Sequence, residues 1–210
     1  MFNKIKELFF HNDKEIKSNR WIFITILITA ILGLIAAFVL SVEAVELAKN
    51  PNAHLGCSIN VIINCATVAN SKYSALLGFP NSFIGLIGET VFVVIAVAML
   101  MGAKFTKKFM FCAQLAAVFA LIFAFGLFYI SSFIIHALCP WCMLVLLSTT
   151  IMFFAISRYN IRENNLYLPA NVSNQANDFI KNDYDKLTLG IIIVLVTVFI
   201  IIRYGNGLFI

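Results

Sequence analysis

Long apolar stretches separated by short polar segments dominate the chain. A helix needs about 20 apolar residues to cross the hydrocarbon core of a bilayer, which is about 30 Å thick. Two stretches, Trp21–Leu40 and Phe83–Met101, have about this length, and only Glu89 interrupts the second with a charge. The pattern therefore predicts a transmembrane helix over each of them.

A third apolar stretch, residues 110–157, is too long to be one span. It contains no Asp, Glu, Lys or Arg, and as a single helix it would extend about 72 Å. Pro140 lacks an N–H and clashes with the preceding turn, so a helix break is expected beside it. The pattern predicts a third span over Met110–Phe133 and a fourth over Cys139–Ser157.

A fifth span is predicted over Leu187–Tyr204, where Arg203 can extend its side chain to the membrane interface. The preceding segment, 158–186, is polar and rich in Asn, and we expect it to be aqueous. Trp21–Leu40, followed by small residues, resembles a signal peptide. Its apolar part exceeds the roughly 7–15 residues typical of such peptides, so we expect a retained first span.

Composition and charge agree with this pattern. The chain is 61% hydrophobic and 12% charged, whereas a soluble domain is about half apolar and a quarter charged. Most of the 15 Lys and Arg residues fall in segment 1–20, in the loop after the second span, or in segment 158–186. The positive-inside rule makes that side cytoplasmic. We expect a multi-pass protein of the cell (inner) membrane with its N-terminus in the cytoplasm.

These elements predict an all-α integral membrane protein, a four-helix transmembrane bundle plus a fifth transmembrane helix. We divide the chain into a cytoplasmic N-terminal segment, a four-helix core with an outer loop at 41–82, a cytoplasmic loop, and a fifth helix with a short outer tail. The boundaries of these four regions are 1–20, 21–157, 158–186 and 187–210.

Four of the five cysteines fall on the predicted outer side of the membrane. Cys57 and Cys65 lie in the outer loop, and Cys139 and Cys142 lie at the outer end of spans three and four. Disulfides form and persist on that side. Cys112, near the cytoplasmic end of span three, is expected to be buried as a small hydrophobic residue.

The second cysteine pair forms a Cys-Pro-Trp-Cys motif at a predicted helix start. Because proline favours the first helical position, we expect Cys139 to be the N-cap and Cys142 to lie in the first turn. Free N–H groups and the helix dipole there should lower the pKa of the Cys142 thiol. Trp141 suits the membrane interface. This arrangement suits a relay between an aqueous thiol and a molecule dissolved in the bilayer.

Two other interpretations use the same cysteines. The motif could form a structural disulfide, or it could join Cys57 and Cys65 in a four-thiolate zinc site. Zinc sites mostly use two short-spaced pairs, and the spacing of the loop pair matches this poorly. His54 and His136 each precede a cysteine by three residues, but neither is assigned a role, and no metal is expected.

The order of these motifs is specific. Cys57 and Cys65 are followed by Ser71, then Pro80–Ser82 opens one span, and the CxxC at 139–142 opens another. In this combination the chain resembles the vitamin K epoxide reductase family, in particular its bacterial homologues that drive disulfide formation.

The resemblance extends over residues 20–157 and implies a mechanism. Cys142 would be the thiol nearest a membrane quinone, either ubiquinone or menaquinone. Cys139 would exchange with Cys65 in the loop, and Cys57 would accept electrons from a reduced partner. Few residues follow the fifth span, so the partner is expected to be a separate thioredoxin-fold, DsbA-like protein. No nucleic-acid partner is expected.

The resemblance also bears on three further residues. Asn81 would hydrogen-bond a quinone carbonyl, although Asn before Ser at a helix start is equally an ordinary N-cap. Ser71 matches a family serine near the loop pair, although a polar residue in an aqueous loop needs no special reason. Glu89 is costly to place in lipid and is expected to face the bundle interior or extend to the interface, with no role implied by the family.

The expected function is a quinone-dependent membrane thiol–disulfide oxidoreductase that reoxidises its partner. Two alternatives remain open on the sequence. A metal-binding membrane protein would use the outer cysteines as ligands, and a structural membrane protein would hold them as static disulfides.

Overall fold

The computed structural model describes residues 14–51, 53 and 55–208. His54 and the first part of the basic N-terminal segment lie outside the described residues. The helices are α1 (Lys14–Lys49), α2 (Cys65–Ala69), α3 (Ser82–Leu100), α4 (Lys107–Ile130), α5 (Pro140–Arg162), α6 (Ala170–Lys181) and α7 (Tyr184–Leu208), with a 3₁₀ turn at Lys72–Ala75 and a π turn at Ser131–Ile135.

Five of these helices, α1, α3, α4, α5 and α7, are long and apolar enough to cross a membrane. The predicted all-α architecture with five spans is therefore confirmed. Among the described residues there is no β-strand, only one isolated bridge between Ile63 and Leu138. The first span is longer than predicted, because the helix continues past Leu40 to Lys49 and buries Leu47 against the cysteines.

The first four spans form the bundle. Helix α1 packs against α3 and α5, and α4 packs against α5, while α7 lies outside against α5 and α6. Away from the cysteines, the interior is filled by an apolar cluster that includes Ile26, Phe92, Met152 and Ile156. Because lipid tails are as apolar as these side chains, the helices are held together by close van der Waals packing and not by removal of apolar surface from water.

Glu89 lies inside the bundle, which is the first of the two positions expected for it; it does not extend to the membrane interface. Its side chain is buried between α3, α1 and α5, and the Thr149 hydroxyl donates a hydrogen bond to its Oε1. Gly33 on α1 makes this possible, because a Cβ at that position would lie 2.5 Å from Glu89 Oε1.

Segment 158–186, which is predicted to be an aqueous loop, contains helical structure. Helix α5 continues through its first residues, and α6 forms its second half. Asn160 is fully buried, donates hydrogen bonds to the Met110 carbonyl and the Gln114 side chain, and accepts one from Asn165. Buried amides are stable here because their hydrogen bonds are satisfied within the protein.

Cys112 is exposed on the outer face of α4, so the expectation that it is buried is wrong. Its neighbours Ala113 and Gln114 face the bundle instead. An uninterrupted apolar helix has no periodic pattern that shows which face is turned inward. The burial of Cys112 could therefore not be predicted correctly from the sequence.

Candidate redox site

A short backbone pairing brings the two cysteine pairs together. Ile63 and Leu138 form an isolated parallel bridge. Asn64 N donates to the Leu138 carbonyl at 3.0 Å, and Leu138 N donates to the Ile62 carbonyl at 2.7 Å. Because Cys139 follows Leu138 and Cys65 follows Asn64, the bridge brings the two cysteines side by side.

The outer loop is shaped by two Asn side chains that satisfy its backbone. Asn60 Oδ1 accepts hydrogen bonds from Ile62 N and Ile63 N. Asn64 caps the short helix α2, its Oδ1 accepting a hydrogen bond from Thr67 N at 2.9 Å. Such side-chain bonds replace regular secondary structure in turns, and here they fix Cys65 at the start of α2.

Three sulfurs lie in one buried cluster. Cys57 and Cys65 form a disulfide, and Cys139 Sγ lies 3.3 Å from Cys65 Sγ. Cys139 and Cys142 are free thiols. Cys65 and Cys139 are each 1% exposed, whereas Cys57 is 9% exposed. Cys57 is therefore the more accessible sulfur of the disulfide, while Cys65 faces the CxxC motif.

The CxxC motif begins a helix as predicted. Cys139 is the N-cap of α5 and Pro140 occupies the first helical position. The free N–H group, however, serves Cys139 and not Cys142, because Cys142 N donates to Cys139 Sγ at 3.4 Å. The hydrogen bond with the Cys142 thiol, helped by the backbone N–H groups of Trp141 and Cys142, lowers the pKa of the Cys139 thiol against the opposing effect of burial. Cys139 is thus the activated thiol of the pair.

A scan of the chain against protein-family models matches one family, described as the vitamin K epoxide reductase family, over residues 24–157. The match covers more than half of the chain. The chain belongs to the vitamin K epoxide reductase family. Membership of this family implies that the protein is a membrane oxidoreductase. A search of the curated proteins finds no match.

In this family member Asn81 occupies the N-cap position of α3, but its side chain makes no capping hydrogen bond. Its amide donates to the Tyr73 carbonyl at 2.7 Å, and its Oδ1 accepts from Leu76 N at 3.1 Å. One amide N–H is left over for another acceptor. Beside it, Ser82 Oγ is buried without a hydrogen-bond partner among the described residues. Two hydrogen-bond donors at the start of α3 fit a quinone, whose carbonyl oxygens are acceptors.

Ser71 shapes the turn that follows α2. Its hydroxyl donates to the Val68 carbonyl at 2.7 Å, and its carbonyl accepts from the Ser74 hydroxyl at 2.9 Å. These bonds connect α2 to the 3₁₀ turn, and through it to the Tyr73 carbonyl that holds Asn81. The structure thus gives Ser71 a role in the loop's backbone geometry.

The fifth span supports the turn that leads into the CxxC motif, a role that the sequence did not suggest. Tyr204 donates to the Ser132 carbonyl at 3.1 Å, and Arg203 lies 3.5 Å from His136 Nδ1. His136 adopts a left-handed conformation with φ of 59°. A π turn next to a functional site is a common arrangement, and here it redirects the chain toward Cys139.

Glu43 is the residue beside the disulfide that sequence reasoning missed. Its Oε1 lies 3.2 Å from Cys57 Sγ, and its Oε2 is buried without a partner among the described residues. The available signal was an acidic residue just beyond an apolar span. Within the described part of the chain, Glu43, Cys57 and Cys65 are near enough to share a metal ion. Because the disulfide uses both thiols, this set offers only one carboxylate and does not fit a metal site.

Proposed function

We propose that this protein is a quinone-dependent membrane thiol–disulfide oxidoreductase that reoxidises a separate thioredoxin-fold, DsbA-like protein. The electron pair would pass from the partner to the loop cysteines, then to the CxxC motif and on to ubiquinone or menaquinone. The observation that carries the proposal is the 3.3 Å contact between Cys139 Sγ and Cys65 Sγ, the buried member of the loop disulfide.

The contact fits the transfer between the two cysteine pairs. In a cycle that begins with both pairs oxidised, a partner thiolate attacks Cys57, and Cys65 leaves as a thiolate. The Cys65 thiolate then attacks Cys139, and Cys142 leaves. The partner's second thiolate attacks the partner sulfur bonded to Cys57, which completes the partner's own disulfide and releases the Cys57 thiolate. Cys57 finally attacks Cys65 to re-form the loop disulfide and release the Cys139 thiolate. Each exchange is a displacement at sulfur by a thiolate.

The released Cys139 thiolate is the form favoured by the lowered pKa of its thiol. This drives the electron pair toward the CxxC motif, because the better-stabilised thiolate is the better leaving group. The arrangement of one disulfide and one adjacent dithiol thus corresponds to the stage after electrons have reached Cys139 and Cys142.

A bound quinone supplies the two-electron acceptor that the thiols need. Asn81 and Ser82 would hold it through a carbonyl oxygen, using the spare amide N–H and the unpaired hydroxyl. Cys139 is the thiol that contacts Cys65 of the loop, so Cys142 is the thiol left to pass electrons to the quinone. The Tyr73 and Leu76 hydrogen bonds keep the Asn81 amide in a fixed orientation for this contact.

We further propose that the four redox cysteines lie on the extracytoplasmic face. The concentration of Lys and Arg in segments that the span order puts on the opposite side supports this orientation. An oxidising compartment is also where a thiol-oxidising enzyme would meet its substrates.

Anaerobic quinone reduction by the purified full-length protein tests the proposal. The electron donor is a reduced DsbA-like protein, and the variants are Cys57→Ala, Cys142→Ala and, as the matched control, Cys112→Ala. We expect turnover in the wild type and in Cys112→Ala and its loss in the other two. Absence of turnover in the wild type with several quinones and donors would contradict the proposal, and metal analysis of the same sample would then test the metal-binding alternative.

A further inference from the structure

The carboxyl group of Glu43 lies against the loop disulfide, and one of its two oxygens has no hydrogen-bond partner among the described residues. Helix α1 continues past its apolar stretch and brings Glu43 to the outer end of the bundle. Oε1 is 3.2 Å from Cys57 Sγ, and Oε2 is enclosed without a hydrogen-bond partner among the described residues. The carboxyl therefore touches a sulfur whose bond must break and re-form in every turnover.

Among the described residues, the redox-active and ionisable groups near Glu43 are the four redox cysteines and one carboxyl group. From the loop it faces Cys57 and Cys65, and from the start of α5 it acts electrostatically on Cys139 and Cys142. On its own helix the neighbouring acid is Glu46, which is exposed. None of the ion pairs found among the described residues includes Glu43, so no cation there holds it permanently ionised.

We propose that Glu43 is the general acid and base for Cys57. This inference rests on the proposed function, because it assigns the proton that accompanies the loop's thiol exchange. Of the four redox cysteines, Cys57 is the one that does not sit at a helix N-terminus, since Cys65 begins α2 and Cys139 and Cys142 begin α5. It therefore has no backbone N–H groups of a helix end to stabilise its thiolate and needs another group to move its proton.

Glu43 acts twice in the cycle. When the partner's second thiolate attacks the partner sulfur of the mixed disulfide, the bond to Cys57 breaks and Cys57 leaves with the electron pair. The Glu43 carboxylic acid gives its proton to that sulfur and becomes a carboxylate. Later the carboxylate takes the proton back as Cys57 attacks Cys65, which is then bonded to Cys139. The Cys57–Cys65 bond forms, the Cys65–Cys139 bond breaks, and Cys139 leaves as a thiolate.

A full-length variant that keeps Cys57 and replaces the other cysteines with Ala isolates this proton transfer. Its thiol is allowed to react with an aromatic disulfide, and release of the coloured aromatic thiol is followed from pH 5 to pH 9. The assay contains neither quinone nor partner protein, so its result is independent of whether the proposed function holds.

With Glu43 present, we expect the rate to stay high below neutral pH, where a thiol without a base becomes slow. Glu43→Gln should react about 100-fold more slowly there, at the lower end of the effect of a positioned general base. Glu43→Asp keeps a carboxyl group and should recover part of the rate. Glu163→Gln, exposed at the other end of α5 from Cys139, is the matched control and should follow the parent.

A Glu43→Gln profile that superimposes on the parent's would overturn the proposal. If Glu43→Gln does not fold, as judged by its helix content in detergent, the rate of the Glu43→Asp variant tests the proposal instead. A carboxyl group withdrawn by one methylene should slow the reaction at low pH, and an unchanged rate in Glu43→Asp would equally overturn the proposal.

Discussion

Tyr204 donates a hydrogen bond to the backbone carbonyl of Ser132, joining the fifth span to the turn that precedes the CxxC motif. Both groups are buried. Tyr204 lies beyond residue 157, where the match to the vitamin K epoxide reductase family ends, so an element outside the matched region supports the site. The contact gives α7 a structural purpose that its apolar sequence alone does not indicate.

Tyr204→Phe should therefore destabilise the protein modestly and loosen the turn before Cys139. It removes one buried hydrogen bond to the Ser132 carbonyl, a cost of about 1 kcal/mol. For a chain of this size we expect the midpoint of thermal unfolding in detergent to fall by about 2–4 °C. Tyr129→Phe is the matched control, because Tyr129 is exposed. An equal effect of both substitutions would contradict the assigned role of the bond.

Cys57→Ala should trap a disulfide between Cys65 and Cys139. The two sulfurs lie 3.3 Å apart, and once Cys65 has attacked Cys139 no Cys57 thiolate remains to resolve the product. Oxidation of this variant, followed by alkylation of free thiols and peptide mapping, should show Cys65 joined to Cys139 and Cys142 alkylated. Cys142→Ala should not accumulate the same bond, because Cys57 then resolves it. Recovery of a Cys139–Cys142 disulfide alone in Cys57→Ala would contradict the exchange path.

The pKa of the Cys139 thiol should rise when Cys142 is replaced by Ala. The hydrogen bond with the Cys142 thiol is the largest cause of its lowering, and without it burial pushes the pKa upward. Because a thiol with a lowered pKa is ionised at a lower pH, the first thiolate should form at lower pH in a Cys112→Ala parent than in Cys112→Ala/Cys142→Ala. A titration of thiolate absorbance with the loop disulfide intact measures this. Identical titrations would mean that the helix N–H groups alone set the pKa.

Much of the fold could be predicted because membrane spans depend on length and hydropathy. Pro140 fixed the position of the break between α4 and α5, and the N-cap at Cys139 followed from Pro140 in the next position. The burial of Asn160 could not be predicted in this way. It depends on partners that are distant in sequence, Met110 and Gln114, and hydropathy counts an Asn as polar whether or not its hydrogen bonds are satisfied.

In the candidate site, too, local motifs could be predicted from the sequence, whereas contacts between distant residues could not. The four cysteines were identified from motif order, but the identity of the activated thiol depended on which sulfur the Cys142 N–H reaches, a distance that spacing does not give. Glu43 was missed because it lies 14 residues from Cys57, and only the extended course of α1 brings them together. Tyr204 was missed for a similar reason, since 72 residues separate it from Ser132.

Gly33 and Glu89 should be coupled in stability. A Cβ on residue 33 would lie 2.5 Å from Glu89 Oε1 and 2.8 Å from Ser148 Oγ, closer than such atoms can approach. Gly33→Ala should therefore cost about 1–3 kcal/mol through overpacking, even though Ala favours the helix over Gly. Gly126→Ala is the matched control, because its Cβ would meet nothing within 4 Å, and it should be neutral or slightly stabilising.

The coupling is measured by a double-mutant cycle with Glu89→Ala in thermal unfolding of the detergent-solubilised protein. Removing the Glu89 side chain removes the closest clash, so Gly33→Ala should cost less in that background, with an interaction free energy of about 1 kcal/mol. Ser148 remains near the added methyl group, so a part of the penalty should persist. Additive effects of the two substitutions would mean that the carboxyl group of Glu89 moves aside freely, and that Gly33 does not hold it in its buried position.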